Sequence, residues 1–297
     1  MASTFAGHEL YAKKALKSLP SQLAFLGAFS TDISGEVLGE KSKSVDVALV
    51  EMDAADRFNR ATNNFARPVG DPKTVKVEFG EPIITGFAVT ADQASKIDPK
   101  FWEGKAELNM TSVAASASES VTNLVTGENF AKSVTGVGAA SAFTKTGVAK
   151  IAAAIESATN KLRTKFSTLV LSGEYFYYLL AGLDAAVYGG TEAIRGGVIP
   201  GLFGFRKVMT LPGLTIPGFV CEMSCIAFAS RGFRPADDKP YNTVREIKDP
   251  ESGLTLTLVE YPDGPSGDLS ESVTTRIGAS VGDSGALVRL VAGNSDS

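Results

Sequence analysis

Histidine and cysteine are almost absent from this sequence. The 297 residues include one histidine, His8, and two cysteines, Cys221 and Cys225. Mechanisms that need two histidines from one chain are therefore excluded, and two cysteines cannot supply the four ligands of a structural zinc site. We expect no metal and no cofactor, and we expect both cysteines to be buried, reduced packing residues.

Long apolar runs and an excess of basic charge are also missing. The most apolar stretches, 175–190 and 216–230, contain Asp184 and Glu222 and are shorter than the roughly 18 uncharged residues of a membrane span. The first eleven residues lack the apolar core of a signal peptide. The net charge is −4, and no basic run is longer than Lys13-Lys14. The sequence predicts a protein made in the cytoplasm, with no membrane partner and no strong affinity for nucleic acid.

The first third of the chain has few of the regularly spaced apolar residues that would form a core of its own. Residues 1–44 contain one short amphipathic segment, 8–19, followed by Pro20 and by sequence rich in Ser, Gly and Lys, which predicts an arm. Alternating apolar residues in 45–50 and 75–79 predict two strands joined by a long polar tip. Because an isolated hairpin is marginally stable, we expect this one to lie on another element or on a neighbouring subunit.

A long amphipathic helix is predicted next. Asp98 and Pro99 mark its start, and the opposite face carries Ser, Thr, Asn and Glu. At about 1.5 Å per residue its twenty-four residues would form a rod of about 36 Å. An ordinary core helix would explain the pattern as well. Its apolar residues recur at steps of three and four, namely Trp102, Ala106, Met110, Val113, Ala117, Val121, Leu124 and Val125.

A second unit follows a passage rich in Gly, Ser and Thr, 126–147. We predict a helix from Val148 to Lys165, a buried strand at 168–171 and a second helix at 173–181 that is capped by Ser172. This order of helix, strand and helix suggests an α/β layer. Further strands are predicted at 206–211, 219–229, 254–258, 273–277 and 286–291.

One motif suggests hydrolytic chemistry. Gly282-Asp283-Ser284-Gly285 copies the nucleophile segment of chymotrypsin-like serine proteases, but a serine hydroxyl needs a general base. The only imidazole, His8, lies 276 positions earlier than Ser284. We therefore interpret the motif as a turn between two terminal strands.

A glycine motif weakly resembles a dinucleotide-binding loop. Gly136-Val137-Gly138 has the first two glycines, but Ser141 stands in place of the third. Such a loop must also leave a hydrophobic strand, and we interpret 132–135 as lacking strand structure. A flexible connector is the better interpretation.

Once the catalytic and cofactor-binding motifs are discounted, the predicted chain consists of an arm, a hairpin, a long helix and an α/β unit. Ordering such extended elements costs roughly 1 to 2 kcal/mol of backbone entropy per residue, and burial against a partner is the usual compensation. The simplest such partner is another copy of the same chain. A heterologous contact repeated around an axis closes into rings, and tiled rings form a shell.

The order of these parts resembles that of the major capsid proteins of tailed double-stranded-DNA bacteriophages, whose fold is named after a Hong Kong phage. The resemblance is greatest in the part of the chain that corresponds to the family's axial domain. There the helix from Val148 is followed by the strand and cap at 168–172 and by the aromatic helix at 174–180. Next come a lone Gly, a hydrophobic strand, a Leu-Pro pair, a second strand and an Ala-rich strand that ends in Arg. In this sequence that run is Leu202-Phe203-Gly204-Phe205-Arg206-Lys207-Val208, Leu211-Pro212, Gly218-Phe219-Val220-Cys221 and Ile226-Ala227-Phe228-Ala229-Ser230-Arg231.

The resemblance implies an α+β capsid fold, with subunits arranged in pentamers and hexamers and the extended loop lying on a neighbour. The parts would be an N-terminal arm (1–44), an extended loop or hairpin (45–92), a peripheral domain with the spine helix (93–147), an axial domain (148–270) and C-terminal strands that return to the peripheral and axial region (271–297). The expected contact residues between subunits are polar residues of the loop tip, namely Asn59, Asn63, Asn64, Arg67 and Asp71.

The resemblance also implies a structural, non-enzymatic function in an icosahedral virion that encloses phage DNA. Weak contact with the packaged DNA is consistent with the modest negative charge. Since 44 residues precede the hairpin, we expect a separate scaffolding protein and not a scaffold domain. A portal protein and a cement or decoration protein are the other expected partners, and synthesis would take place in the host cytoplasm.

Two alternatives remain open. An encapsulin is a bacterial compartment with the same fold that holds enzymes and not DNA, and the sequence does not separate it from a capsid. A serine hydrolase would use Ser284 as its nucleophile, with Lys145 or Lys150 as a base in place of histidine. An adhesin is disfavoured because the sequence contains no internal repeat.

Overall fold

Two six-stranded sheets form the body of the chain in a computed structural model. The structure describes residues 11, 14–15, 23–32, 43–51, 72–90, 92, 96, 98–159, 166–183, 197–233, 243–249, 253–263 and 268–293. Its helices are α1 (Pro99–Thr122), α2 (Lys145–Thr159) and α3 (Gly173–Ala181). Short 3-10 turns lie at Ala24–Ala28, Ala140–Ala142, Met223–Cys225 and Ser284–Ala286.

The first sheet has the order β1-β10-β13-β12-β11, and β4 also pairs with β13. We call it the peripheral sheet because the long helix α1 packs on it. It includes three strands from 148–270, the range expected for the axial domain, so the expected domain bounds stay a prediction. The pairing of β1 with β10 is parallel, and the other pairings are antiparallel. Its strands are β1 (Ser30–Thr31), β4 (Ile83–Val89), β10 (Ile226–Arg231), β11 (Thr243–Lys248), β12 (Thr255–Asp263) and β13 (Asp268–Val281).

The second sheet, which we call the axial sheet, has the order β5-β14-β9-β6-β8-β7, and β2 and β3 form a separate hairpin. Within the axial sheet, β5 with β14 and β6 with β8 are parallel pairs. The strands are β2 (Ser44–Ala48), β3 (Thr74–Glu78), β5 (Ser133–Val137), β6 (Thr168–Leu171), β7 (Val198–Leu202), β8 (Phe205–Thr210), β9 (Gly218–Cys221) and β14 (Leu287–Ala292).

Helix α1 confirms the predicted rod. It has 24 residues, begins three residues before Trp102, and has Asp98 at its N-cap, where the carboxylate accepts a hydrogen bond from the Lys100 amide at 2.8 Å. Pro99 occupies the first turn, where no amide donor is required. The predicted stripe from Trp102 to Val121 is buried, and it packs on the peripheral sheet through β4 and β13.

The described part of the N-terminal segment differs from the expected arm. Residues 23–32 form a 3-10 turn and β1, and Leu23, Phe25, Leu26 and Phe29 are buried in the same core as α1. Leu23, Leu26 and Phe29 recur at steps of three, which suits a 3-10 turn, but the run is too short for the sequence to show that it is buried against the rest of the chain. The segment is part of the core because it fills space beside α1 and both sheets.

Several predicted elements are confirmed, with shifted ends. Helix α3 spans 173–181, but the side chain of Ser172 makes no capping hydrogen bond, so the predicted cap is wrong in that respect. Helix α2 begins at Lys145, and residues 160–165 of its predicted range lie outside the described residues. The predicted strand 219–229 is two strands, β9 and β10, separated by a 3-10 turn.

The interpretation of 132–135 as lacking strand structure is wrong. Residues 133–137 form β5, which pairs in parallel with β14 at the edge of the axial sheet. Its side chains are small and mostly exposed, so the strand has no apolar alternation to reveal it. Strands β4, β7 and β11 were likewise not predicted individually. Their pairing with distant segments decides their structure.

Candidate assembly surfaces

The hairpin of β2 and β3 lies on the peripheral sheet. Val47 and Val77 pack against Ala227 and Ala229 of β10, and the Gly80 amide donates to the Ile277 carbonyl at 3.1 Å. At Gly278 of β13 there is no room for a side chain, since an added Cβ would lie 2.8 Å from Cγ1 of Val77. The base of the hairpin is therefore held closely on this sheet.

The hairpin extends beyond its two strands. The Leu49 amide donates to the Lys73 carbonyl at 2.8 Å, and Lys73 pairs with Glu51 at 3.1 Å on the surface. The predicted contact residues Asn59, Asn63, Asn64, Arg67 and Asp71 all lie outside the described residues. Their role in contacts between subunits stays a prediction.

The N-terminal segment is bonded to both the hairpin and β10. The Ser30 hydroxyl donates to the Met223 carbonyl at 2.9 Å and accepts from the Val50 amide at 3.0 Å. Asp32 forms an ion pair with Arg231, whose guanidinium also lies 5.9 Å from the centre of the Phe79 ring. These contacts join the N-terminal segment to β10 and to the residues that follow β2.

A polar cluster links α1 to the N-terminal segment and to β4. The Asn109 amide nitrogen donates to the Tyr11 hydroxyl at 2.7 Å, and Thr85 donates to the Asn109 side-chain oxygen at 3.1 Å. Burial raises the pKa of Tyr11 well above its ordinary value, so the phenol stays neutral. The cluster satisfies a polar residue on the buried face of the helix.

The two sheets are joined by a pair of crossover connections, which we call the crossover junction (222–225 and 282–286). The Gly282 amide donates to the Cys225 carbonyl at 2.9 Å, and the Asp283 amide donates to the Ser224 carbonyl at 2.8 Å. The Glu222 amide in turn donates to the Ala286 carbonyl at 2.9 Å. The connections therefore support each other through backbone hydrogen bonds.

The Gly282 to Gly285 motif is the turn between β13 and β14, as predicted. The Asp283 carboxylate accepts from the Gly285 amide at 2.8 Å, and the Lys132 ammonium donates to the Gly285 carbonyl at 3.2 Å. Ser284 is exposed, and among the described residues no basic side chain hydrogen-bonds to its hydroxyl. Lys150, one of the two bases considered for a hydrolase, lines a cavity that does not include Ser284.

Both cysteines are buried and free, as predicted. They lie at the junction of the two sheets, and burial raises the pKa of the Cys225 thiol well above its ordinary value. Across the described ranges, no group of three or more side chains is arranged to hold a metal ion. None of the helices described is long and apolar enough to span a membrane.

Large apolar side chains remain exposed on several elements. Exposed apolar side chains scattered over several elements are common on folded proteins and do not by themselves mark a contact. Among the described residues they are Val50, Ile84, Phe101, Leu108, Tyr177, Tyr178, Phe203 and Met223. The sequence prediction named none of these residues as contacts, since a linear pattern does not show which apolar positions fail to reach a core.

Comparison with solved structures found similar chains in viral and virus-like particles. The chain is similar to that of the virus-like particle from Pyrococcus furiosus, with a TM-score of 0.51 and 13% identity over 95% of this chain and 98% of that chain. It also aligns with a chain of Mycobacterium phage Che8, with a TM-score of 0.47 and 15% identity over 84% of this chain and 85% of that one. A chain of the cyanophage P-SCSP1u capsid aligns with a TM-score of 0.44 and 10% identity over 91% of this chain and 88% of that one.

Only the first of these scores exceeds 0.5, and the conclusion rests on it. No protein-family model matches the chain, and neither does any curated protein. Identity this low establishes a shared fold and nothing finer. The paired sheets, the long helix and the hairpin of β2 and β3 agree with what the resemblance in the sequence implied, and the chain has the Hong Kong phage-type capsid fold.

Proposed function

We propose that this protein is the structural subunit of an icosahedral shell that encloses phage double-stranded DNA, assembled as pentamers and hexamers. The observation that carries the proposal is the fold shared with the subunit of a virus-like particle over 95% of this chain and 98% of that chain. The likeness extends over nearly the whole of both chains.

The way the hairpin is held supports the proposal. Its base is packed on the peripheral sheet, and the Val50 amide just beyond β2 donates a hydrogen bond to the Ser30 hydroxyl. An element anchored at one end and extended beyond its own core is suited to lie on a neighbouring copy. The polar residues Asn59 to Asp71 would then contact the neighbour, within an extended loop of residues 45–92.

The remaining parts of the proposal concern partners and location. A separate scaffolding protein would guide assembly, a portal protein would replace one pentamer, and a cement or decoration protein would bind the outer face. The DNA would touch the inner wall weakly, since the chain has a net charge of −4 and no strongly basic run. The protein would be made in the host cytoplasm and reside in the virion.

Expression of the chain with and without its scaffolding protein tests the proposal. We expect closed particles by negative-stain electron microscopy and a sedimentation coefficient far above that of a 31.0 kDa monomer. Particles that form without a scaffold and contain protein cargo would favour the encapsulin-like alternative. A chain that stays monomeric at high concentration, with the scaffold present, would overturn the proposal.

A further inference from the structure

The axial sheet carries a projection at one edge and a cavity at the other. In the described part of the chain, β7 and β5 are its outermost strands. Five strand spacings of about 4.8 Å separate these edges by about 24 Å. Features at opposite edges of one sheet cannot meet within a single copy.

The projection is the turn between β7 and β8. Leu202 and Phe205 pair across the turn, so Phe203 and Gly204 are its two central residues, with φ angles of 48° and 90°. Turns of this kind favour Asn and Gly, because a positive φ strains a bulky residue. Phe203 is the only residue other than glycine with a positive φ in the described part of the chain, and 45% of its surface is exposed.

A strained, exposed aromatic residue requires a reason beyond the fold of the subunit. Gly at position 203 would relieve the backbone strain, and the ring is not part of the axial core. Exposed aromatic side chains on rigid turns are typical anchors of protein interfaces, because they bury a large area at low entropic cost.

The cavity lies between β5 and the start of α2. It has a volume of about 610 Å³, and its apolar lining includes Val134, Val137, Ala139, Ala142, Phe143 and Ile151. Pockets of roughly 300 to 1,000 Å³ accept groups larger than one aromatic ring. The small side chains of the connecting segment keep this space empty, and Gly136 and Gly138 add no side chain to it.

We propose that Phe203 of one copy inserts into the cavity between β5 and α2 of a second copy. The contact is heterologous, because its two halves lie on opposite edges of the same sheet, and its repetition closes a ring when the rotation from one copy to the next is a whole fraction of a turn. The inference rests on the proposed shell function and names residues that join neighbouring subunits within a ring.

The charges near both surfaces predict how the association depends on salt concentration. Arg206 and Lys207 are exposed beside the turn, and Lys150 lines the cavity. These cations repel one another when the surfaces meet, so the contact depends on apolar burial. Added salt should screen the repulsion and strengthen association.

Two variants that each remove one half of the contact test the proposal. Phe203→Gly removes the ring and relieves the strain, and Ala142→Trp fills the cavity with a side chain at an exposed position. Loss of one buried phenylalanine should weaken association roughly 10- to 100-fold. Tyr177→Ala is the matched control, since it removes a more exposed aromatic residue of the same domain, 62% exposed on α3.

Mixing the two variants provides the decisive measurement. At a concentration just sufficient for the wild type to assemble, each variant alone should be a folded monomer by circular dichroism and sedimentation velocity. In the mixture, the intact Phe203 of one variant meets the intact cavity of the other, so dimers should form but rings should not. The Tyr177→Ala variant should assemble like the wild type.

The outcomes separate this inference from the proposed function. If the wild type assembles and either variant assembles equally well, the Phe203 contact is wrong while the shell function stands. The same holds if the single variants stay monomeric and their mixture forms no dimer. A wild type that remains monomeric under all assembly conditions overturns both.

Discussion

The carboxylate of Asp32 forms an ion pair with the guanidinium of Arg231, a residue 199 positions later in the chain. The side chains are 12% and 5% exposed, so the pair is largely removed from water. The Asp32 amide also donates to the Phe228 carbonyl at 2.9 Å, which places the N-terminal segment along β10. The pair therefore joins the start of the chain to the strand on which the hairpin rests.

Removal of one partner of this pair should destabilise the subunit. We expect Asp32→Ala to lower the free energy of unfolding by about 3 kcal/mol, because the buried Arg231 loses its opposite charge. The double variant Asp32→Ala with Arg231→Met should recover part of the loss. Urea denaturation followed by circular dichroism measures both, and a single-variant loss below about 1 kcal/mol would contradict the importance of the pair.

The buried face of α1 can be tested against its exposed face. Met110 is fully buried and Leu108 is 66% exposed on the same helix. Met110→Asp should cost several kcal/mol and prevent folding, because an unpaired carboxylate would enter the core. Leu108→Asp introduces the same group and should change the stability of the subunit by less than about 0.5 kcal/mol. Equal effects of the two variants on the denaturation midpoint would show that this helix has no buried face.

The close approach of the hairpin to β13 predicts an effect at Gly278. A methyl group there would collide with the backbone of Glu78 and with Val77, so Gly278→Ala should destabilise the subunit by about 1 to 3 kcal/mol. Gly104→Ala on α1 is the control, since nothing lies within 4 Å of the added group. It should stabilise the helix by about 0.5 to 1 kcal/mol. Thermal melts should show a lower melting temperature for Gly278→Ala and a higher one for Gly104→Ala.

The tip of the hairpin should be needed for assembly and not for folding. Replacement of residues 59–71 by a short Gly and Ser linker removes the predicted contact residues and leaves β2 and β3 intact. We expect an unchanged melting temperature and no closed particles by electron microscopy. Aggregated, unfolded protein would show that these residues belong to the subunit core.

Ser284 should have no catalytic function. A fluorophosphonate probe should leave the wild type unlabelled, because no general base hydrogen-bonds to this hydroxyl among the described residues. Ser284→Ala should assemble as the wild type does. Labelling of the wild type that disappears in Ser284→Ala would support the hydrolase alternative.

Local patterns in the sequence predicted the long helix, the hairpin strands and α3 closely. In α1, the spacing of apolar residues and the Asp98-Pro99 start depend on interactions within a few residues of each other. The interpretation of Gly282 to Gly285 as a turn was correct for the same reason. A count of residues was enough to show that His8 is the only histidine and that it lies far from Ser284 in sequence.

Elements that are stabilised by residues distant in sequence could not be predicted from local patterns. Strand β5 has exposed Ser, Thr and Gly residues, and it exists because β14 lies beside it. The burial of Phe25 and Phe29 depends on the space between α1 and the two sheets, which the short apolar pattern around these residues does not show. The division of residues 219–229 into two strands arises from the crossover junction, where the chain passes from one sheet to the other.

The amino-acid sequence alone determined the long helix, the two hairpin strands and helix α3, because these follow from local periodicity, and its composition left His8 as the only histidine. Only the tertiary structure decided that the N-terminal segment lies in the core, that Asp32 meets Arg231, and that Phe203 and the cavity of β5 and α2 lie at opposite edges of one sheet. The physical reason is that strand pairing and core packing are contacts between residues far apart in sequence, whose partners are set by the whole chain at once.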